Sequence, residues 1–184
     1  QPRSRGLGDV YKRQTLGRAV KLNKSLLLLS RIENGQYTEM EDVSVDEILD
    51  ELLPDLMDIY EHKQVRLIRK REEQPFIIRC NHSLAQILVS NLVKNSLLHN
   101  REEGELQVLT TPTSLVIKNT GDVPLDGEKL FRRFYHGMDG KKDSTGLGLA
   151  IARSIALSSS LKLTYEWQDG MHTFRLVKES KIYC

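Results

Sequence analysis

A helix running from His82 to about Asn100 would place Leu84, Ile87, Leu88, Asn91, Asn95 and Leu98 on one stripe, so that two amides interrupt an otherwise apolar face. Burying an unpartnered amide costs on the order of 2 kcal/mol or more, so Asn91 and Asn95 are expected to meet something specific there, either a ligand or a neighbouring loop. A second feature is the run Ser144-Thr145-Gly146-Leu147-Gly148-Leu149-Ala150-Ile151, in which two glycines open a helix and leave its first N–H groups uncovered. Such an end can cradle a phosphate, though a Gly-x-Gly also serves simply to let a helix pack closely. The third is Asn119-Thr120-Gly121-Asp122 at a strand end, where Gly121 would let backbone approach a ligand and where an ordinary turn is the plainer use. Lys141 and Lys142 could neutralise a polyphosphate or remain solvated.

The elements that must hold these residues follow from periodicity and punctuation. Leu16, Leu22, Leu26, Leu29 and Ile32 form a helical seam that Asn34-Gly35 stops. Glu41 to Val43 reads as a short strand. Ser44 and Glu47 make a capping box for a helix over about Val45 to Lys63, with Pro54 expected to kink it. Val65, Leu67 and Ile68 and then Phe76 to Cys80 read as strands across a charged turn, and Asn81 is placed to cap the helix of the amide stripe. Glu105 to Thr110 and Ser114 to Asn119 read as paired strands, and Leu130, Phe131 and Phe134 mark one short helix inside a polar stretch from Gly121 to Thr145. Helix returns over Gly146 to Ser159, followed by a hairpin of Leu161 to Gln168 and Met171 to Val177 across Asp169-Gly170. The order predicts an α+β fold, a two-layer sandwich of a mixed sheet packed against helices and preceded by one amphipathic helix.

At 184 residues and 39% hydrophobic, the chain can bury one main core. A net charge of +2 with interleaved acids and bases lacks the basic stripe that nucleic acid demands. Cys80 and Cys184 stand far apart, without metal-ligand spacing, so neither a disulfide framework nor a zinc site is indicated and a reducing cytoplasm fits. The most apolar run, Leu26 to Leu29, is too short to span a bilayer. Residues 1–14, with two glycines, a proline, five charges and no apolar period, read as a non-native or disordered leader, and residues 179–184 as a tail.

Taken in order, the pieces resemble the ATP-binding catalytic domain of sensor histidine kinases, in the superfamily that also holds the gyrase, heat-shock chaperone and mismatch-repair ATPases. Asn91 to Asn100 resembles the asparagine box, Asn119 to Pro124 the first glycine box, Leu130 to Tyr135 the phenylalanine box and Thr145 to Ala150 the second glycine box. Upstream, Leu26 to Gly35 resembles the end of the second helix of a dimerisation and phosphotransfer domain. The resemblance implies a Bergerat-type fold over residues 41–178 and a partial phosphotransfer helix over residues 15–36. It further implies an enzyme that positions Mg²⁺-ATP for γ-phosphoryl transfer to a histidine.

By that resemblance Asn95 would hold Mg²⁺ through its amide oxygen and Asn91 would assist at the phosphates, while Gly146 and Gly148, flanked by Thr145 and Leu147, would offer backbone N–H groups. Phe131 and Phe134 would anchor a lid from Tyr135 to Thr145, and His99 would line the site wall. Asn119 would read adenine; it replaces the usual Asp, a loss of charge that weakens the hydrogen bond by about 1 kcal/mol. Val123 stands where a second glycine is usual and Leu98 where a basic residue is frequent. The partners implied are the protein's own dimerisation and phosphotransfer domain and a response regulator, with no nucleic acid, in a membrane-anchored homodimer whose catalytic part is cytoplasmic. None of the five histidines, His62, His82, His99, His136 and His172, lies in the setting of a phosphoacceptor. Two other readings stand beside this one. The departures at Leu98, Asn119 and Val123 could mark a degenerate nucleotide site that regulates a partner by packing against it, and an ATP-driven clamp would want a Glu base near Asn91, where the residue is Asn.

Overall fold

The computed structural model describes the backbone of residues 3–135 and 145–179, and within it the side chains of residue 13 and of residues from 15 onward. The chain begins with helix α1 (Arg3–Glu33), which starts twelve residues before the expected Thr15. Apart from its glycines, the stretch before Thr15 contains residues compatible with helix, and extending a helix already nucleated downstream costs little per residue. The seam of α1 is used unevenly. Leu29 and Ile32 are buried in the domain core and Leu22 and Leu26 pack against it, whereas Leu16 is exposed.

Next come β1 (Glu41–Ser44) and α2 (Val45–Ile59), whose Ser44 cap accepts the Glu47 N–H at 3.3 Å. α2 runs through Pro54 as one helix and ends at Ile59, with a separate 3-10 turn at Glu61–Lys63. β2 (Arg66–Arg71) and β3 (Ile77–Cys80) then enter different sheets. β3 pairs antiparallel with β1, while β2 pairs parallel with β4 (Glu105–Thr111). The five-stranded sheet has the order β2-β4-β5-β7-β6, where β5 is Ser114–Thr120, β6 Leu161–Gln168 and β7 Met171–Lys178. All its other pairings are antiparallel. The β6–β7 turn has positive φ at both Asp169 (53°) and Gly170 (73°), the two-residue geometry that matches strand twist.

Helices α3 (His82–Leu98) and α4 (Gly148–Ser158) pack on each other and cover one face of this sheet, with α2 against α3 and α1 against α4. The covered face is built from cross-strand rows. Thr110, Leu115, Leu176 and Leu163 form one row and Val108, Ile117, Phe174 and Tyr165 the next. At the end of the sheet the row becomes Leu106, Asn119, His172 and Trp167. Apolar filling thus gives way to polar side chains at one edge of the sandwich.

The short helix expected at Leu130, Phe131 and Phe134 is not formed. Asp126 Oδ1 accepts the Glu128 and Lys129 N–H groups at 3.1 and 3.2 Å, and the Leu130 N–H reaches the Asp126 carbonyl at 2.8 Å. These are isolated turns, and Phe134 in the left-handed region (φ 61°) prevents their propagation.

Candidate functional site

α3 is capped at its start by Asn81, whose Oδ1 accepts the Leu84 N–H at 3.3 Å. Its buried face comprises Leu84, Ala85, Leu88, Val89, Leu92, Val93, Ser96 and Leu97. That face is rotated from the expected stripe, because small and β-branched residues turn inward against the sheet and α4. Ile87, Asn91, Asn95 and Leu98 consequently lie half-buried along the border of the core. Neither Asn91 nor Asn95 has a side-chain hydrogen bond to the described residues. Both amides are therefore open to a partner at the rim rather than buried in the face. His99, also half-buried, caps the helix end, its N–H reaching the Asn95 carbonyl at 3.0 Å.

Facing this rim is the start of α4. The cap position, Leu147, makes no side-chain capping bond and the first turn carries no acid, so the free N–H groups retain their positive end of the helix dipole. Leu147 itself is fully buried and anchors the start of α4 in the core. Gly146 has φ 65°, a conformation that favours glycine, and Thr145 beside it is half-buried. A Cβ added at Gly148 would lie 3.8 Å from Cγ and Oδ1 of Asn91. The second glycine run and the first asparagine, 57 residues apart in sequence, are thus in contact distance across the α3–α4 interface.

Asn119 stands at the polar end of the sheet, between Leu106 and His172. It is 1% exposed, and its Nδ2 donates to the Thr120 carbonyl at 3.1 Å, leaving Oδ1 as an acceptor without a partner among the described residues. Gly121 follows, where a Cβ would overlap the His172 imidazole. Beyond it, Phe131 and Tyr135 are half-buried against the core, Arg153 stacks over Phe131 at 5.7 Å, and Phe134 is exposed. The Phe134 N–H donates to the Gly146 carbonyl at 2.9 Å, joining the two ends of the expected lid. Lys141, Lys142 and His136, with the middle of that lid, lie outside the described residues.

Several residues that frame the site had no signal in the sequence. Lys63 donates to the carbonyls of Leu97, Leu98 and Asn100 at 2.9, 2.6 and 2.9 Å. His172 sits directly across from Asn119, and burial pushes its pKa below the usual 6.5 against a partial pull upward from Asp122. Arg133, within the phenylalanine run, reaches Glu33 of α1 at 2.5 Å. All three depend on contacts between distant segments.

Residues 81–179 match the family of histidine kinase-, DNA gyrase B-, and HSP90-like ATPases, more than half of the chain. The chain belongs to that family. Within it, the similarity is to catalytic domains of sensor histidine kinases. The sensor histidine kinase HprS of Escherichia coli K12 is 24% identical over 177 residues, covering 92% of this chain and 38% of HprS. The heme sensor protein HssS of Staphylococcus epidermidis is 30% identical over 146 residues, covering 73% of this chain and 31% of HssS. The chain therefore spans roughly a third of the length of these relatives. The structure of the Acinetobacter baumannii histidine kinase AdeS superposes with a TM-score of 0.75 at 18% identity, over 98% of this chain and 87% of that one, a likeness of fold. The expected two-layer α+β architecture is that of this ATPase family. Among the described residues, no helix is long and apolar enough to cross a membrane.

Proposed function

We propose that this ATPase domain binds Mg²⁺-ATP in the cleft bounded by α3, the start of α4 and the polar edge of the sheet. In a longer protein it would present the γ-phosphoryl to a histidine of that protein's own dimerisation and phosphotransfer domain. Residues 41–178 are the catalytic domain and residues 15–36 the end of the phosphotransfer helix, with residues 1–14 and 179–184 outside both. The phosphoryl would pass on to a response regulator, and the whole protein would be a membrane-anchored homodimer with this domain on the cytoplasmic side.

The observation that carries the proposal is the placement of Gly148, at an uncapped helix N-terminus, against the Asn91 amide. Phosphate oxygens suit the free N–H groups there. No group of three or more His, Cys, Asp or Glu side chains that could hold a metal occurs among the described residues, so a cation would rely on phosphate oxygens, water and the Asn95 amide oxygen. Such sparse protein ligation suits Mg²⁺, which keeps several waters. When bound, Mg²⁺ supplies neutralisation of phosphate charge. The remaining work belongs to the chain. Asn91 orients phosphate oxygens or water, the backbone at Gly146, Leu147 and Gly148 cradles them, and Asn119 Oδ1 accepts from the adenine amino group. Thr145, Phe131, Phe134 and Tyr135 frame the lid, while His99 and Gly121 shape the walls.

Calorimetric titration with a non-hydrolysable ATP analogue tests this directly. Binding is expected to require Mg²⁺, and Asn95→Ala is expected to weaken it at least tenfold, since about 1.4 kcal/mol corresponds to that factor. No binding at millimolar analogue would overturn the proposal and leave the reading of a degenerate, protein-binding domain.

A further inference from the structure

The segment after Thr120 has no regular structure, yet its backbone is held by the β6–β7 hairpin at three points. The Gly121 N–H donates to the Gly170 carbonyl, Trp167 Nε1 donates to the Gly121 carbonyl, and the Leu125 N–H donates to Tyr165 Oη, each at 2.9 Å. A fourth contact links these. Tyr165 Oη lies 2.9 Å from His172 Nδ1, and the two rings stack with centroids 5.9 Å apart. Tyr165 accepts from Leu125 and keeps its own proton for a second bond; given to Nδ1, that proton leaves the ring hydrogen of neutral His172 on Nε2. His172 in turn fills the space a side chain at position 121 would need and is the cross-strand neighbour of Asn119 on one side and Trp167 on the other.

Ordinary core packing would explain apolar contacts among these rings. It does not explain why two polar tips, from an edge strand that is otherwise largely solvated, end on the main chain of the one loop that follows Thr120. We propose that Tyr165, Trp167 and His172 are positioning residues for the nucleobase end of the site, bracing residues 120–125 so that Asn119 and the Gly121 backbone keep a fixed geometry toward the base. This rests on the nucleotide-binding reading given above. The brace acts on the base and leaves the phosphate end, formed by α3 and α4, unaffected.

The test compares two ligands in the same domain, the non-hydrolysable ATP analogue with Mg²⁺ and inorganic tripolyphosphate with Mg²⁺. Tyr165→Phe keeps the ring and removes the bonds to Leu125 and His172. It is expected to weaken the analogue about fivefold, the worth of one net hydrogen bond, while tripolyphosphate affinity stays unchanged. Trp167→Phe is expected to do the same, whereas Asn95→Ala weakens both ligands. Nitrogen NMR of the unsubstituted domain should show His172 protonated at Nε2, with that preference lost in Tyr165→Phe. Equal weakening of both ligands, or analogue binding like that of the unsubstituted domain, would overturn the brace. If the unsubstituted domain bound neither ligand, the function reading would fail and the nucleobase role with it. A His172 tautomer unchanged by Tyr165→Phe would count against the brace independently of any ligand.

Discussion

Asp46, 5% exposed, is a carboxylate buried in the core of the domain. Burial alone would raise its carboxyl pKa, but hydrogen bonds from Thr110 (2.5 Å), the Phe76 N–H (2.8 Å) and Arg69, with the Arg69 charge, outweigh that and hold it below the usual 3.8. The carboxylate joins α2 to β2, β4 and the segment before β3, a link that no local pattern announces. Asp46→Ala would leave Arg69, 18% exposed at its side chain, without its anion. A loss on the order of 3 kcal/mol in urea unfolding is expected. The pH dependence has two steps of the same sign. Neutral His172 disfavours its proton in the folded state, so stability is full above 6.5 and declines on acidification as the unfolded chain takes up the proton. Asp46 contributes above 3.8, and its contribution is lost as pH falls through its lower folded value. Urea midpoints that stay flat from neutral pH down to 3 would contradict both, and Asp46→Ala should abolish only the more acidic step.

At the scale of elements, α3 is anchored at both ends by residues outside it. Asn81 closes its N-terminus, a use the sequence shows plainly, and the Lys63 ammonium closes its C-terminus, a use it does not show. A cation there satisfies carbonyls that have no helical partner and complements the negative end of the helix dipole. Lys63→Met is expected to cost about 1–3 kcal/mol and to speed amide exchange in the last turn, around His99, more than in the β6–β7 hairpin. Uniform acceleration across the domain would mean that Lys63 stabilises no particular element. The rotated face of α3 belongs to the same scale. Hydrophobic spacing located the helix and its length within two residues, but placed Asn91 and Asn95 in mid-face. The actual inward line follows the small residues Ala85 and Ser96, which permit close packing, instead of the bulkier Ile87 and Leu98.

For the whole molecule, α1 is tied to the catalytic domain by Leu29 and Ile32 in the shared core and by the ion pair of Glu33 with Arg133 of the phenylalanine run. The chain nonetheless holds no histidine in a phosphoacceptor setting. Incubated with labelled ATP and Mg²⁺, these 184 residues are expected to acquire no acid-labile, base-stable phosphate. Labelling of one of the five histidines at a rate comparable to an intact kinase would refute that expectation.

What the sequence determined by itself is what depends on neighbours along the chain. The Ser44 and Asn81 caps, the Asp169-Gly170 turn, the strand alternation and the order of the four boxes are of this kind, because capping, turn geometry and side-chain period act within a few residues. The tertiary structure alone decided which strands pair, since a period of two fixes a strand's faces and says nothing about its partner. It separated β2 from β3 and aligned Asn119 with His172 and Trp167 in one row. It also brought Gly148 to Asn91 and Lys63 to the end of α3. Those contacts join segments tens of residues apart, and their positions are set by how the whole apolar core closes, a collective result that no short window of sequence contains.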